Sequence, residues 1–494
     1  MRVLDPIRTQ VLVVGAGAAG ISAAIASARQ GARTLLLEYQ GFLGGISATL
    51  PWLGFHDRDY QQVVKGLPHE FVTRLQAAGG ASGYSLDIKC GSLVSIDSHM
   101  WKVLALQIAQ EAGVEVMLHT HVVDALRDGD VVRGVVVEHK SGRQEIHAES
   151  VIDASGDGDV AARAGADWEK GRMADGLVQA PTLVFRLGGL DRIRFVEACK
   201  DPSLRYREWI ADDPVLWEKN VRRLDSLEAI VLGGFAGLIE RARADGAVGF
   251  PQTRVVGVKT HRDGELTVVM TRILGLDPTD VGSVSNAYTK LYAQVPELVS
   301  FFRAYVPGAE ASYLLEIAPM LGVRESRRIV GDYMMTKEDV IEGRRPEDTV
   351  AMGGYHIDIH RPAGTWVESF NVQTYGIPLR SLIARGLDGL YMAGKCLSAT
   401  HEAIASTRVI PICMAQGQAI GTAAGMAAVE RTTVRELDVS RLQDRLADAG
   451  AEIGRTLGGP DERAIEEIGQ LPLQEPPTTG DRDQASQSAD AWVR

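Results

Sequence analysis

The chain has 494 residues, of which 45% are hydrophobic and 23% charged, so it is long enough for two to three domains and too apolar to be wholly disordered. Its formal net charge of −12 repels phosphate backbones and argues against a nucleic-acid partner. The four cysteines lie far apart without a CxxC spacing, which argues against an iron–sulfur site, a structural zinc site or a disulfide framework.

The beginning of the chain predicts a strand–helix–strand unit. Residues 10–14 (QVLVV) are a continuous apolar run, which is typical of a strand buried on both faces. The alanine-rich stretch ISAAIASARQ then predicts a helix, and residues 34–38 (TLLLE) predict a second buried strand. This order is that of a βαβ unit.

The turn between this first strand and the helix carries the motif GAGAAG, with glycines at 15, 17 and 20. Gly15 permits a tight turn, Gly17 lets the backbone approach a pyrophosphate, and Gly20 lets the helix pack on the strand. The helix N-terminus offers free N–H groups to phosphates. Glu38 can accept hydrogen bonds from both ribose hydroxyls and would repel the 2′-phosphate of NADP. The unit therefore predicts a bound dinucleotide and leaves NAD and FAD open.

Two further glycine turns favour FAD over NAD. Residues 41–45 (GFLGG) follow the second strand and offer a second turn for the far end of a long cofactor. Residues 390–394 (LYMAG) predict another buried strand that runs into a glycine. A simple NAD-binding domain needs neither of these features.

The remaining segments divide the chain. Strands at 131–138 and 145–148 are predicted to pair around a turn at 141–142, and residues 150–153 predict a buried strand ending in ASGDG. The segment after about residue 175 has a different pattern and includes a charged helical stretch near 205–245 and an aromatic-rich helix near 283–305. We therefore predict a nucleotide-binding domain in two parts (1–175 and 351–471), an inserted lobe (176–350) and a disordered tail (472–494).

Several segments then point to a family: VLVVGAGAAGISAAIASARQGARTLLLE, GFLGGISAT, VIDASGDGDVAARAG, MLGVRESRRIVGDY and GLYMAGKCLSATHEAIASTRVIPICMAQGQAIGTAAGMA. With them the chain resembles the FAD-dependent oxidoreductases of the two-dinucleotide-binding-domain type, and among these the bacterial group distantly related to fumarate reductase and succinate dehydrogenase flavoproteins. The resemblance implies an α/β fold in which a discontinuous, Rossmann-like FAD-binding domain carries an inserted mixed α+β substrate lobe.

The resemblance also implies which residues hold FAD. The pyrophosphate would lie on the first glycine turn, the adenosine ribose on Glu38, and the flavin pyrimidine ring at the start of a helix near Pro411. In related flavoproteins an acidic residue more commonly follows the last glycine turn, where this chain has Lys395. The expected cofactor-binding residues are Gly15, Gly17, Ala18, Ala19, Gly20, Glu38, Gly44, Gly45, Val122, Ala154, Ser155, Gly156, Gly394, Val409 and Ile410.

Three residues just before that helix are the expected catalytic residues on the substrate side: His401, Glu402 and Arg408. A flavin dehydrogenase needs a base that takes a proton while a hydride leaves for the flavin, and His401 or Glu402 could serve. Arg408 could clamp a carboxylate or contact the flavin. The opposing interpretation is that His401 and Glu402 only cap or orient the loop.

Two other clusters contain residues that could bind or react. The stretch YHIDIH alternates like a strand, and its outward face would line the cleft with His356, Asp358 and His360. A metal triad there is disfavoured because the flavin already supplies the redox chemistry, so no metal is expected. Arg324 and Arg328 are spaced as neighbours on a helix face, although Arg324 could also reach flavin or substrate.

The predicted function is that of an FAD-dependent oxidoreductase that transfers a hydride between flavin N5 and a small organic substrate, with desaturation or its reverse favoured by the resemblance. The alternatives are a non-catalytic electron-transfer subunit of a larger complex and an NAD-only dehydrogenase. The electron acceptor or donor is left open, and a homodimer is an option. Without an apolar N-terminal leader or a long apolar run, we expect a cytoplasmic protein with no membrane span.

Overall fold

The computed structural model describes residues 3–50, 52–362 and 367–471. At the centre of this part of the chain lies a five-stranded parallel sheet whose inner strands are fully buried, which agrees with their continuous apolar sequences. Because one of its two edge strands, Leu390–Met392, comes from late in the chain, the nucleotide-binding fold is discontinuous, as predicted. The strand order is Leu390–Met392, Ser150–Asp153, Val11–Val14, Thr34–Leu37 and Glu115–Met117.

Two helices pack against this sheet and against each other, and their chains run in the same direction. The helix Ala18–Arg29 follows the first glycine turn, and the helix Ile410–Glu430 confirms the one predicted to start near Pro411. Their contact is very close. A Cβ atom at Gly417, Gly421 or Gly425 would lie 2.0, 2.2 or 2.8 Å from the main-chain oxygen of a residue in the first helix. We call these three glycines the glycine seam.

A second sheet flanks the first. The predicted hairpin around residues 141–142 is confirmed, because Val131–His139 pairs antiparallel with Gly142–His147. His121–Asp128 extends this hairpin on one side, and the short strand Ile7–Arg8 pairs parallel with Gly142–His147 on the other.

The segment between residues 185 and 317 contains an antiparallel sheet of five strands, as far as the described residues define it. Its core is separate from that of the parallel sheet and includes Phe185, Phe235 and Phe301. The predicted aromatic-rich helix is present as Val281–Tyr305. We call this segment the antiparallel lobe. Its strand order is Ile230–Gly234, Val255–Lys259, Leu266–Val268, Phe185–Gly188 and Tyr313–Ile317.

Smaller elements complete the fold. A three-stranded sheet and three strand pairs lie around the two main units: Trp52–Leu53 with Gly91–Ser95 and Ser85–Asp87, Trp168–Lys170 with Arg327–Ile329, Thr349–Gly353 with Tyr375–Pro378, and Ile357–His360 with Val367–Phe370. The other α-helices are Leu67–Ala77, Ser98–Glu111, Asp159–Arg163, Arg192–Lys200, Pro214–Arg223, Ala236–Ala244, Lys337–Ile341, His401–Thr407, Val439–Asp448 and Glu462–Ile468.

Two local predictions were wrong. Residues 324–328 do not form a helix, because Arg327–Ile329 pairs as a strand with Trp168–Lys170 and tertiary pairing outweighs the helical spacing of the arginines. The stretch near 205–245 is not continuously helical, since the buried strand Ile230–Gly234 interrupts it. The predicted disordered tail, residues 472–494, lies outside the described residues.

Candidate active site

A cavity of about 920 Å³ opens between the parallel sheet and the antiparallel lobe. It lies at the carboxyl ends of the parallel strands, where Val14, Glu38, Ala154 and Gly394 line its wall. Ligands of open α/β sheets bind at this edge. The cavity has two halves, one formed by the nucleotide-binding turns and one formed by the lobe and the hairpin Ile357–His360/Val367–Phe370.

The first glycine turn has the shape that a pyrophosphate requires. A Cβ atom at Gly17 would meet no other atom within 4 Å, so the backbone there faces open space in the cavity. Gly15 has a φ of +94°, and a Cβ atom there would lie 2.5 Å from the oxygen of Ala154. Gly20 packs so closely that its Cβ atom would lie 1.8 Å from the oxygen of Gly15. Only glycine fits these last two positions.

Two helix N-termini point at the same half of the cavity. Ala18 and Ala19 begin one helix and Ile410 and Pro411 begin the other, and all four residues line the wall. Because the helices run in the same direction, both present their free N–H groups and partial positive charge to a ligand. Such a pair suits the phosphates and the electron-rich pyrimidine edge of a flavin dinucleotide.

Glu38 is held in place by two backbone groups. Its Oε2 accepts from the N–H of Ala16 at 2.7 Å and its Oε1 from the N–H of Gln40 at 2.8 Å. Burial raises the pKa of this carboxyl group, while the backbone N–H groups oppose that change. Each oxygen keeps a further lone pair, so the side chain can still accept from ribose hydroxyls in the cavity it lines.

The predicted cofactor residues fall into two groups. Gly20 and Gly44 do not line the cavity in the described structure. Gly20 packs the helix on its turn, and the N–H of Gly44 donates to the oxygen of Ala16 at 2.8 Å, which joins the second glycine turn to the first. The cavity wall contains the other thirteen: Gly15, Gly17, Ala18, Ala19, Glu38, Gly45, Val122, Ala154, Ser155, Gly156, Gly394, Val409 and Ile410.

Of the predicted catalytic residues, only Arg408 lines the described cavity wall. His401 is buried at the start of the helix His401–Thr407, where its Nδ1 lies 2.8 Å from Glu325 Oε2. Arg328 forms an ion pair with the same carboxylate. Glu402 is half-buried and also lies outside the wall.

Two arginines and one carboxylate mark the other half of the cavity. Arg408 donates to the side-chain oxygen of Gln179 at 3.1 Å and to the main-chain oxygen of Asp358 at 2.8 Å. Arg324 donates to the oxygen of Ala180 at 2.6 Å, so both guanidinium groups are anchored on the same short segment. Burial lowers the pKa of both arginines, that of Arg324 to about 9, and repulsion by Arg408 contributes to the change at Arg324.

His360 lies beside these arginines and in contact with Asp358. Its Nε2 is 3.1 Å from Asp358 Oδ2, which leaves Nδ1 for another partner. Burial, followed by repulsion from Arg324, lowers the pKa of His360 to about 4, so the imidazole is neutral near pH 7. Within the described residues, no three His, Cys, Asp or Glu side chains converge on a point that could hold a metal ion.

The rest of this half combines aromatic and polar side chains. Trp52 and Trp209 line the cavity, and Tyr355 stacks on His356 with ring centroids 4.1 Å apart. Lys89 donates to the hydroxyl of Ser369 at 2.5 Å, and burial lowers the pKa of its ammonium group. An organic substrate here would meet flat apolar surfaces together with cationic groups.

The geometry agrees with a comparison of the whole sequence. The sequence profile described as FAD dependent oxidoreductase matches residues 10–446. The chain belongs to this family. It is therefore an oxidoreductase enzyme with FAD as its cofactor, and the glycine turns, the two helix N-termini and Glu38 fit that cofactor. The more distant kinship with fumarate reductase stays a prediction.

Three proteins similar to the oxidoreductase show low sequence identity to it. A digeranylgeranylglycerophospholipid reductase from Picrophilus torridus is 29% identical over 159 residues, which cover 29% of this chain and 38% of that protein. A solved geranylgeranyl bacteriochlorophyll reductase-like protein from Thermoplasma acidophilum is 13% identical, with a TM-score of 0.43 and coverage of 94% and 96% of the two chains. The p-nitrophenol 4-monooxygenase PnpA from Pseudomonas putida is 12% identical, with a TM-score of 0.44 and coverage of 99% and 94%.

Several residues of the oxidoreductase's site had no signal in the sequence. Lys89 and Trp209 line the cavity, and Gln179 lies behind its wall and accepts from Arg408. All three lie in stretches without a glycine turn or a regular period, and the fold alone brings them to the site. The available signal for Gln179 was a polar residue within an apolar segment. Every helix of the described residues is too short or too polar to span a bilayer.

Proposed function

We propose that this oxidoreductase transfers a hydride between FAD and a small organic substrate that carries a carboxylate or similar anion. The observation that carries the proposal is the pair Arg324 and Arg408. Both cations line the substrate half of the cavity, and Asp358 is the acidic residue of the described wall beside them. Two cations that share one carboxylate leave positive charge for a ligand to neutralise.

Electrostatics support an anionic ligand rather than a neutral one. Burial and mutual repulsion act against two adjacent guanidinium charges, as the lowered pKa of Arg324 shows. A bound carboxylate would remove that repulsion and could accept paired N–H groups from each planar guanidinium. The aromatic side chains Trp52, Trp209 and Tyr355 would then contact the apolar body of the substrate.

His360 is the residue that we propose to exchange a proton with the substrate. Bound FAD supplies hydride exchange at its N5 atom. Asp358 accepts from Nε2 of His360, so the neutral ring presents the lone pair of Nδ1 as a base. In the reverse direction the same Nδ1 returns the proton. Of the possible reactions, we favour desaturation of a carbon–carbon bond or its reverse, on the resemblance described above.

Anion binding can be tested without knowing the substrate. The flavin absorption spectrum of the purified protein is recorded during titration with saturated and unsaturated carboxylic acids, each paired with its primary amide. We expect the acids to perturb the spectrum and bind about 10–100-fold more tightly than the amides, because a charge-assisted pair is lost in the amide. Arg324→Met and Arg408→Met should abolish the preference, while Arg385→Met, an exposed arginine, should keep it. Equal binding of acids and amides would refute the proposal.

The proton-transfer role has its own measurement once an acid that reduces the flavin is found. kcat/KM should fall with decreasing pH as His360 becomes protonated, with a midpoint near its pKa of about 4. Because Arg324 holds this pKa down, Arg324→Met should move the midpoint to higher pH, whereas His360→Asn should lower kcat by about 10²–10⁴-fold. If Arg324→Met did not change the pH midpoint of kcat/KM, the assignment of His360 as the base would be contradicted. Turnover with an artificial acceptor would also exclude a non-catalytic relay subunit.

A further inference from the structure

Lys395 and Asp157 form an ion pair on the nucleotide half of the cavity, away from the arginines of the substrate half. Both residues line the cavity wall, with side chains that are 19% and 32% exposed. They come from the turns that follow two adjacent parallel strands, Leu390–Met392 and Ser150–Asp153, which explains why residues so far apart in sequence meet here.

The position of Lys395 relates it to the first glycine turn. A Cβ atom at Gly394 would lie 3.3 Å from Cβ of Ala19, in the first turn of the helix Ala18–Arg29. The side chain of Lys395 passes Gly156, whose Cβ atom would lie 3.3 Å from Cε of Lys395. Lys395 thus follows a glycine that packs on the first turn of the helix whose N-terminus fits a pyrophosphate, and its ammonium group lies near Gly156, one residue after Ser155, whose Cα would be 2.9 Å from a Cβ atom at Gly15.

The carboxylate of Asp157 affects how well this part of the cavity can hold a pyrophosphate. A carboxylate in this wall would repel the two negative charges of a pyrophosphate, so an unpaired acid beside a phosphate site is unfavourable. The main chain of Asp157 is itself fixed, because Arg327 donates to its carbonyl oxygen at 3.0 Å. Asp157 thus offers a fixed anchor from which Lys395 can extend along the cavity wall.

We propose that Lys395 is a direct phosphate-binding residue for FAD and that Asp157 is a positioning residue that orients its ammonium group. An ammonium group has three donors, so it can keep Asp157 as a partner while donating to a phosphate oxygen. The opposing explanation is that Lys395 only neutralises Asp157. The two explanations differ in what happens when both charges are removed together.

The test is the dissociation constant of FAD, measured from the fluorescence of flavin released on serial dilution of the full-length holoprotein. Lys395→Met should weaken FAD binding by about 10–100-fold, the loss expected for one charge-assisted hydrogen bond. The double variant Lys395→Met/Asp157→Asn should remain at least about tenfold weaker than the native protein if Lys395 binds phosphate. Lys395→Arg, which keeps the cation, should bind within about threefold, and Arg385→Met serves as the surface control.

The outcomes separate the explanations. Native affinity in the double variant would show that Lys395 only neutralises Asp157 and would overturn the proposal. Unchanged affinity in Lys395→Met, or an equal loss in Lys395→Arg, would overturn it as well. If Lys395→Met does not fold, the comparison of Lys395→Arg and the double variant with the native protein still decides the question. None of these results depends on the nature of the substrate.

Discussion

Alanine at the glycine seam should separate the two helices that carry the cofactor-binding N-termini. In Gly421→Ala the new Cβ atom would lie 2.2 Å from the main-chain oxygen of Ala23, whereas ordinary contact begins at 3.4 Å. The helices must therefore move apart locally by roughly 1.2 Å, because neither atom belongs to a flexible side chain. By the same reasoning the displacement is roughly 1.4 Å for Gly417→Ala and 0.6 Å for Gly425→Ala.

The expected loss in the free energy of unfolding is about 1–3 kcal/mol for Gly417→Ala and Gly421→Ala, and less for Gly425→Ala. Gly237→Ala is the matched control, since this exposed helical glycine would meet no atom within 4 Å. Alanine is the better helix former, so that variant should be equally or slightly more stable, by up to about 1 kcal/mol. Urea unfolding followed by circular dichroism measures all four variants.

FAD affinity adds a second, position-dependent readout. Gly417 packs on Ala19, one residue into the helix that begins at the cavity, whereas Gly425 packs on Ser27 near the other end. Gly417→Ala should therefore release FAD more readily than Gly425→Ala does. The close-contact argument would be refuted if the urea midpoint of Gly421→Ala equalled that of the native protein. It would also be refuted if Gly417→Ala and Gly425→Ala weakened FAD binding equally.

Two further predictions concern the buried carboxylates Asp87 and Glu325. Asp87→Asn would leave Arg207, 2.6 Å away, as a buried unpaired cation, so we expect a loss of about 3–5 kcal/mol in urea unfolding. Burial raises the pKa of Asp87, but Arg207 and backbone N–H groups together outweigh burial and hold the pKa below its usual value. The stabilising contribution of the carboxylate is therefore present at neutral pH and is lost as the pH falls through that pKa, and Asp87→Asn should remove this dependence. His401→Asn should lower the urea midpoint of unfolding, since it breaks the contact with Glu325. It should not change the pH at which kcat/KM falls in acid, because His360 sets that pH. A change in that pH would contradict the assignment of His401 to structure and His360 to proton transfer.

The strands, turns and helix of the nucleotide-binding half could be predicted because their sequence signals are local. A buried strand, a glycine turn and a helix N-terminus follow one another within about 30 residues, and each has a direct physical cause. The motif assigned roles to Gly15, Gly17 and Gly20, but no motif indicated the close contacts of the glycine seam. That Gly421 meets Ala23 depends on two helices almost four hundred positions apart, which no local period records.

The substrate half was harder to predict for the same reason. Gln179, Arg324 and Asp358 come from three segments, and Arg408 from a fourth, so their convergence is a property of the tertiary fold. The spacing of Arg324 and Arg328 matched a helix, but strand pairing fixed the local conformation. As a result the two side chains have different surroundings. Arg324 faces the cavity, and Arg328 pairs with the buried Glu325.

His401 was predicted to be catalytic because it lies close in sequence to the helix at the cavity, but closeness in sequence did not bring its side chain to the cavity. It precedes the helix Ile410–Glu430 by less than three turns, but at the start of its own helix its side chain faces Glu325 rather than the cavity. Glu325 in turn accepts from the N–H of Gln179 at 3.1 Å, and the side-chain oxygen of Gln179 accepts from Arg408 and from the N–H of His360. The histidine that the sequence singled out is therefore joined to the proposed base through a buried chain of hydrogen bonds, which gives it a place in supporting the site without contact with the substrate.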